Sequence, residues 1–402
     1  MAKLKNLEKL KEMVYTCLRC GSCRDLWDPK ENVFGTCPIR EHTGGFDVYF
    51  MRGKLMLARK ALEGVIEPNP DMARYIYLCS TCGNCEAHCR ISQTSPGKVD
   101  REKTKLDQIR IIEAFRADLV DLGLALPRHK AFADSIAKNH NPYGEPHEAR
   151  LAWMPQGFEI PKGDPEMIYF VGCTSAYRRT ELARATVDVL GKAGVAFRIM
   201  HPDEWCCGSP LLRTGQRGLA EEVARHNVDA IRRSGIGTVV TSCAGCYRTL
   251  KQDYRELFGD LGFEVKHISE VVNDLIEEGR LKLRRPLAIR ATYHDPCHLG
   301  RHCDYYEPPR ALIAKLEGVE FVEMPRTRSG AWCCGSGGGV KSAFGDLATE
   351  IATDRLKEAK EVGAEYLLSC CPFCKHNFLD AKRAMGSDLE IYDLIELVSQ
   401  AT

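Results

Sequence analysis

No uncharged apolar run in this 402-residue chain approaches the roughly 20 residues needed to span a bilayer. Nor does the first stretch read as a signal peptide: Leu4, Leu7, Leu10, Met13 and Val14 recur at helical spacing with Lys3, Lys5, Lys9 and Lys11 between them, and an amphipathic helix is expected. Charge of one sign is also lacking. Against 56 Lys and Arg stand 55 Asp and Glu, a formal net charge of +1, so no general field attracts nucleic acid or an anionic surface, and no nucleic-acid partner is expected. Finally, there is no dinucleotide fingerprint. The glycine run at 335–339 lacks the preceding strand and the acidic residue such a site needs, so neither flavin nor NAD is expected in this chain.

Cysteine is what the chain has in excess, at 20 of 402 residues. That is high for this length but below the density of a small secreted disulfide scaffold, and a chain this long can bury its own cores, so the cysteines read as metal ligands. Reduced thiols point to a cytoplasmic protein, one that could dock on the inner face of a membrane. Cys17, Cys20 and Cys23 stand three residues apart, followed by Cys37 and Pro38; Cys79, Cys82, Cys85 and Cys89 make a second run. Three thiolates at three-residue steps wrap one corner of a cubane and leave its fourth iron to a thiolate from elsewhere. Structural zinc is the alternative, two ions on eight cysteines, with the third thiol of each run idle. The runs resemble those of two-cluster ferredoxins, where the fourth cysteine of each run ligates the other cluster. That resemblance implies one [4Fe-4S] cubane on Cys17, Cys20, Cys23 and Cys89 and a second on Cys79, Cys82, Cys85 and Cys37. The chain departs from the pattern in the 13 residues between Cys23 and Cys37, and in Arg90, which stands where proline is usual.

A helix is expected over 99–123, where Leu106, Ile109, Ile112 and Phe115 repeat at every third position, and residues 1–125 read as one domain. Prolines at 127, 142, 146, 155, 161 and 165 then predict a connector over 126–165, without long regular elements, wrapping the surface. From 166 the chain repeats itself at a period of about 124 to 128 residues, giving units 166–283 and 284–402. Cys173 aligns with Cys297, Trp205-Cys206-Cys207-Gly208 with Trp332-Cys333-Cys334-Gly335, and Cys243 and Cys246 with Cys371 and Cys374. Each unit reads strand, amphipathic helix, strand, double cysteine, helix, strand, closing CxxC. That is an α/β unit with a small parallel sheet and its cysteines at strand ends, where such sheets place sites.

Each repeat has one cysteine, then 32 or 35 residues, a Cys-Cys-Gly, 35 or 36 residues counted from that pair, and CxxC. Five thiolates exceed what a cubane or a zinc ion uses. The arrangement resembles the cysteine-rich CCG domain of the heterodisulfide reductase family, and the whole chain resembles the D subunit of that family, a ferredoxin domain fused ahead of two CCG domains. The family's B subunit carries the CCG pair alone. The implied fold is multidomain α+β: a helical domain with two [4Fe-4S] clusters, then two α/β CCG domains. The resemblance further implies two non-cubane [4Fe-4S] clusters, one on Cys173, Cys206, Cys207, Cys243 and Cys246 and one on Cys297, Cys333, Cys334, Cys371 and Cys374. Four clusters result. Ser369-Cys370-Cys371 imitates a second double cysteine, but alignment sets Cys370 opposite Ser242 and Cys303 opposite Arg179, so both are set aside.

Histidines gather in His294-Asp295-Pro296-Cys297-His298, with His302 and His376, and the first repeat has Phe170 and Thr174 where His294 and His298 stand. His294 is a candidate proton donor for reductive cleavage of a disulfide; alternatively it caps a strand or bonds a cluster sulfur. Glycines after the double cysteines allow backbone to approach a cluster, or simply turn into a helix, and Trp205 and Trp332 cover a core or gate electrons. The resemblance implies a catalytic iron-sulfur subunit of a hetero-oligomeric complex that reduces a disulfide, in the family the mixed disulfide of coenzyme M and coenzyme B. It extends also to relay subunits that pass electrons between a flavoprotein, of lactate, glycerol 3-phosphate or electron-transfer flavoprotein type, or an aromatic-ring reductase complex, and a quinone, ferredoxin or cytochrome. The expected partner is a flavoprotein, a ferredoxin-type protein or a membrane cytochrome b.

Overall fold

The computed structural model describes residues 3–25 and 35–402, so most of the long interval between Cys23 and Cys37 lies outside the described residues. Each repeat forms a four-stranded parallel sheet. In the first, β1 (Met167–Tyr169), β2 (Phe197–Ile199), β3 (Thr238–Thr241) and β4 (Glu264–His267) are ordered β2-β1-β3-β4; in the second, β5 (Ile289–Tyr293), β6 (Val319–Phe321), β7 (Tyr366–Ser369) and β8 (Glu390–Asp393) are ordered β6-β5-β7-β8. The inner strands are short apolar runs because helices cover both faces. Met-Ile-Tyr of β1 is buried throughout, as are Val239 and Val240 of β3.

The two sheets share one hydrophobic core. Helix Thr180–Lys192 of the first repeat packs on Leu394–Ala401 of the second, and Ile268–Glu277 of the first packs on Glu307–Lys315 of the second. These pairs exchange under the repeat, so the halves face each other about an approximate two-fold axis, an intramolecular version of an isologous dimer. Polar ties repeat the exchange: Lys192 reaches the Ser399 carbonyl at 3.0 Å, and Lys315 reaches Asn273 Oδ1 at 2.9 Å and Glu277 at 2.8 Å.

The N-terminal region is helical, and its central helix starts later than the sequence pattern predicts. It spans Gln108–Asp121, because Asp107 takes the N-cap and accepts the Arg110 N–H at 2.7 Å, while 99–107 forms turns. Ile109, Ile111, Ile112, Phe115 and Leu119 bury its apolar faces, and Asp118 accepts the Asn6 and Leu7 N–H groups at 2.8 Å, capping the N-terminal turn Lys5–Glu8. The expected connector is also corrected: Pro127 occupies the first turn of a 13-residue helix, Pro127–Asn139, where its missing N–H is harmless, and Pro142 lies beyond the helix end. Phe132 and Ile136 of that helix pack on Leu211 and Val223 of the first repeat.

Arg116 joins all three regions. It is fully buried, and its guanidinium donates to the carbonyls of Ile76 (3.0 Å), Tyr77 (3.1 Å) and Cys79 (2.7 Å) in the N-terminal domain, Arg213 (2.6 Å) in the first repeat and Gly338 (3.0 Å) in the second. Glycines make the approach possible. A Cβ on Gly215 would lie 2.4 Å from the Arg116 backbone, and one on Gly338, at φ +61°, would lie 2.3 Å from the Cys79 carbonyl oxygen. Replacing Arg116 by Met strands several buried carbonyls and is expected to destabilise the fold by about 3–5 kcal/mol, read as a lower urea midpoint. Arg116→Lys, which keeps the charge but not the planar fork, should recover only part of that loss.

Candidate metal centres

The first cysteine run follows the helical turn Lys11–Tyr15, and Arg19, in the left-handed region at φ 58°, helps the loop curl so that Cys17 and Cys20 approach one another. The chain brings Cys89 beside both Cys17 and Cys23. Cys37, just ahead of the proline-started turn Pro38–Glu41, lies beside Cys79 and Cys82. Cys37, Cys79, Cys82 and Cys85 line one cavity together with Lys54. Cys20 is the exposed member of the eight. Burial pushes the Cys23 and Cys37 thiols up to about 12, so these groups give up protons only to a bound cation. Lys54, donating to the Val48 carbonyl at 3.3 Å and to the Tyr75 carbonyl, is itself pushed down to about 8 by burial, against the pull of Cys79 and Cys37.

The ten other predicted ligands gather at the C-terminal ends of β1, β3, β5 and β7. In each sheet the strand order reverses between the two inner strands, the point where open parallel sheets hold their ligands. Cys173 opens a helical turn after β1, Cys206-Cys207 lie on the loop after β2, and Cys243 and Cys246 flank the turn after β3. Their thiols neighbour one another in the sequence Cys173, Cys206, Cys207, Cys246, Cys243. The second repeat gives the same path, Cys297, Cys333, Cys334, Cys374, Cys371. Two further contacts link the groups. Cys243 meets its repeat counterpart Cys371 near the two-fold axis, and Cys82 of the N-terminal domain meets Cys333. Cys370 is buried beside Tyr293 and Cys303 sits near Arg248 and Lys251, both outside the two five-thiol groups.

Several neighbours had no sequence signal. Arg150, from the connector, holds Nη1 and Nη2 each 3.7 Å from the Cys173 sulfur and pairs with Glu204 through Nε at 3.2 Å and Nη2 at 2.5 Å, both side chains being 1% exposed. Glu204 in turn accepts from the Val171 and Gly172 N–H groups at 3.0 and 2.9 Å, fixing the loop that carries Cys173. Arg301 donates to the Cys82 carbonyl at 2.8 Å and sits beside Cys297 and Cys333. Nothing in a motif marks an arginine one domain away; only the fold brings it in.

The glycine run is an interdomain surface as well as a turn: Gly335 N–H points at the Cys333 sulfur at 3.4 Å, whereas Gly337 and Gly338 lie on the Ser80 and Cys79 backbone. Trp205 is stacked between His140 and His226 at 3.7 and 3.6 Å, and Trp332 donates to the Gly35 carbonyl at 2.7 Å beneath Arg326. Of the histidines, His302 meets the Thr81 carbonyl at 2.9 Å, His298 meets Arg248 at 3.3 Å, and His376 lies 3.9 Å from Asp380. His294 is sealed from solvent, and burial together with Arg355 pushes it down to about 3. Sealed in this way, His294 has no direct route by which solvent could replace a proton it gave up, and its place beside Cys334 and Cys374 suits the alternative of bonding sulfur.

These surroundings fit iron-sulfur clusters. The thiols are all free, most are buried, and the ten of the two repeats are gathered in fives, more than a zinc ion uses, with cationic side chains and an N–H aimed at sulfur. Breaking the Arg150–Glu204 pair tests the local construction. Arg150→Met leaves a buried carboxylate alone and is expected to cost about 3–5 kcal/mol, with faster amide exchange at Val171 and Gly172.

Comparison with known proteins agrees with this geometry. The 4Fe-4S dicluster domain family matches residues 5–92, and the cysteine-rich domain family matches residues 167–251 and 291–379. The D subunit of dihydromethanophenazine:CoB–CoM heterodisulfide reductase from Methanosarcina acetivorans is 38% identical, over 99% of this chain and 96% of its own length. The B subunit of fumarate reductase (CoM/CoB) from Methanothermobacter marburgensis is 30% identical over 96% of this chain and 72% of its own length. EtfAB:quinone oxidoreductase from Syntrophomonas wolfei is 25% identical over 96% of this chain and 58% of its own length. With its dicluster ferredoxin domain and two cysteine-rich domains, the chain belongs to the heterodisulfide reductase D-subunit family of iron-sulfur oxidoreductase proteins.

Proposed function

We propose that this chain is the catalytic subunit of a heterodisulfide-reductase-type complex. In this reading Cys17, Cys20, Cys23 and Cys89 hold one cubane, Cys79, Cys82, Cys85 and Cys37 hold the second, and each five-thiol group holds a non-cubane [4Fe-4S] cluster. The observation that carries it is that Cys243 and Cys371 are neighbours, so that two complete five-thiol groups face each other. Bound there, the clusters would supply two one-electron carriers and iron able to take a thiolate sulfur, matching the two electrons that cleavage of a disulfide consumes.

The chain's own residues order the sites. Cys82 neighbours Cys333 of the second cysteine-rich domain, and Cys371 neighbours Cys243 of the first, which lies beyond it. The exposed Cys20 marks the outer end, where a partner protein (a flavoprotein, a ferredoxin-type protein or a membrane cytochrome b) would exchange electrons. Among the described residues no helix is long and apolar enough to cross a membrane, so in this reading any contact with the inner membrane face runs through such a partner. The substrate class is a small disulfide. A relay without chemistry of its own is the second reading, favoured by the similarity to EtfAB:quinone oxidoreductase.

Anaerobically prepared protein is expected to contain about 16 irons, four for each proposed site, with matching sulfide. Supplied with a reduced low-potential dye, it should consume a disulfide, and added thiol should alter its electron paramagnetic resonance signals. No disulfide turnover and no effect of thiol, with reduction by a flavoprotein intact, would leave the relay reading.

A further inference from the structure

The two cysteine-rich domains are near copies, and beside Arg150 at Cys173 and Arg301 at Cys297, one uncharged polar side chain also breaks the equivalence. His294 follows β5 in the place Phe170 holds after β1, and the backbones match: Phe170 N–H donates to the Val240 carbonyl and His294 N–H to the Leu368 carbonyl, both at 2.8 Å. The side chains do not match. His294 is fully buried, and neither of its ring nitrogens has a hydrogen-bond partner. A buried donor left unpaired is costly, so the working protein is expected to give it an acceptor. The acceptors at hand are sulfurs. A His294 nitrogen and the Cys334 and Cys374 sulfurs all lie within 4.8 Å of one another, and Phe378 holds the ring edge-on with centroids 4.8 Å apart. An imidazole carries at least one N–H whatever its charge, so the ring can donate. Phe170 offers the first domain nothing comparable.

We propose that His294 donates a ring N–H to sulfur at the second cysteine-rich site and thereby raises the reduction potential of that site. The inference rests on the proposed assignment of clusters to the two five-thiol groups. A hydrogen bond to cluster sulfur offsets negative charge and favours the reduced form. Because the second site adjoins the N-terminal domain through Cys82 and Cys333, the raised potential would favour holding an electron near the point of entry. His294 acts through sulfur and is a positioning residue.

The test uses the full-length, cluster-loaded protein under anaerobic conditions, comparing wild type, His294→Phe, His294→Gln and Phe170→His. Redox titrations followed by electron paramagnetic resonance would be combined with iron counts and with hyperfine spectra of protein containing 15N-histidine. One of the two non-cubane signals is expected to carry a weak 15N coupling. His294→Phe should abolish it and lower the reduced-to-oxidised ratio of that signal at fixed potential about tenfold, which is 59 mV for one electron. Iron content and the other signal should stay as they were. His294→Gln, which keeps an N–H donor, should recover part of the shift, and Phe170→His should raise the first site. An unshifted potential in iron-replete His294→Phe would overturn the proposal, as would the strong coupling of a directly ligated nitrogen. Wild-type protein lacking both non-cubane signals and their iron would overturn the cluster assignment itself, and this inference with it.

Discussion

One buried cation holds the molecule in register. The Arg116 guanidinium has no carboxylate bonded to it and instead collects five backbone carbonyls from three regions, so its desolvation is offset only when all three are docked. That requirement reaches the metal centres directly. Two of the carbonyls belong to Cys79 and Gly338, and beside them Cys82 meets Cys333. The same charge lies next to the Cys79 sulfur, opposing the negative charge that an iron-sulfur group would place there.

The internal two-fold explains how two α/β domains bring their thiols together. Topological switch points put five thiols at the strand ends of each sheet, and the exchange of helix pairs across the axis turns those ends inward until Cys243 and Cys371 meet. What surrounds the halves is unequal. The N-terminal domain covers the second half through Gly337, Gly338 and Trp332, whereas the connector covers the first through Arg150, His140 and the helix Pro127–Asn139. Duplicated chemistry thus sits in two different electrostatic settings.

Much of this is legible from cysteine spacing, because metal ligands must recur at short, countable steps and the repeat alignment separates Cys303 and Cys370 from the rest. The strands are legible as short apolar runs such as Met167–Tyr169. Tertiary partners are not. Arg116, Arg150, Lys54 and Arg301 are ordinary residues until the fold buries them against carbonyls or sulfur, and no local pattern records that. The connector misleads because its six prolines look like breakers, although Pro127 starts a helix and Pro142 follows one. The glycine run after Cys334 carries a true signal of close approach, but Gly337 and Gly338 lie against backbone of another domain.

The central claim is that the two five-thiol groups form one paired two-electron centre. It is tested most directly by the magnetic interaction between them in fully reduced, cluster-loaded protein. The neighbouring Cys243 and Cys371 predict strongly coupled spins, with electron paramagnetic resonance signals of the half-reduced state broadening or splitting as the second electron enters. Two signals that simply add, with no mutual broadening, would contradict it.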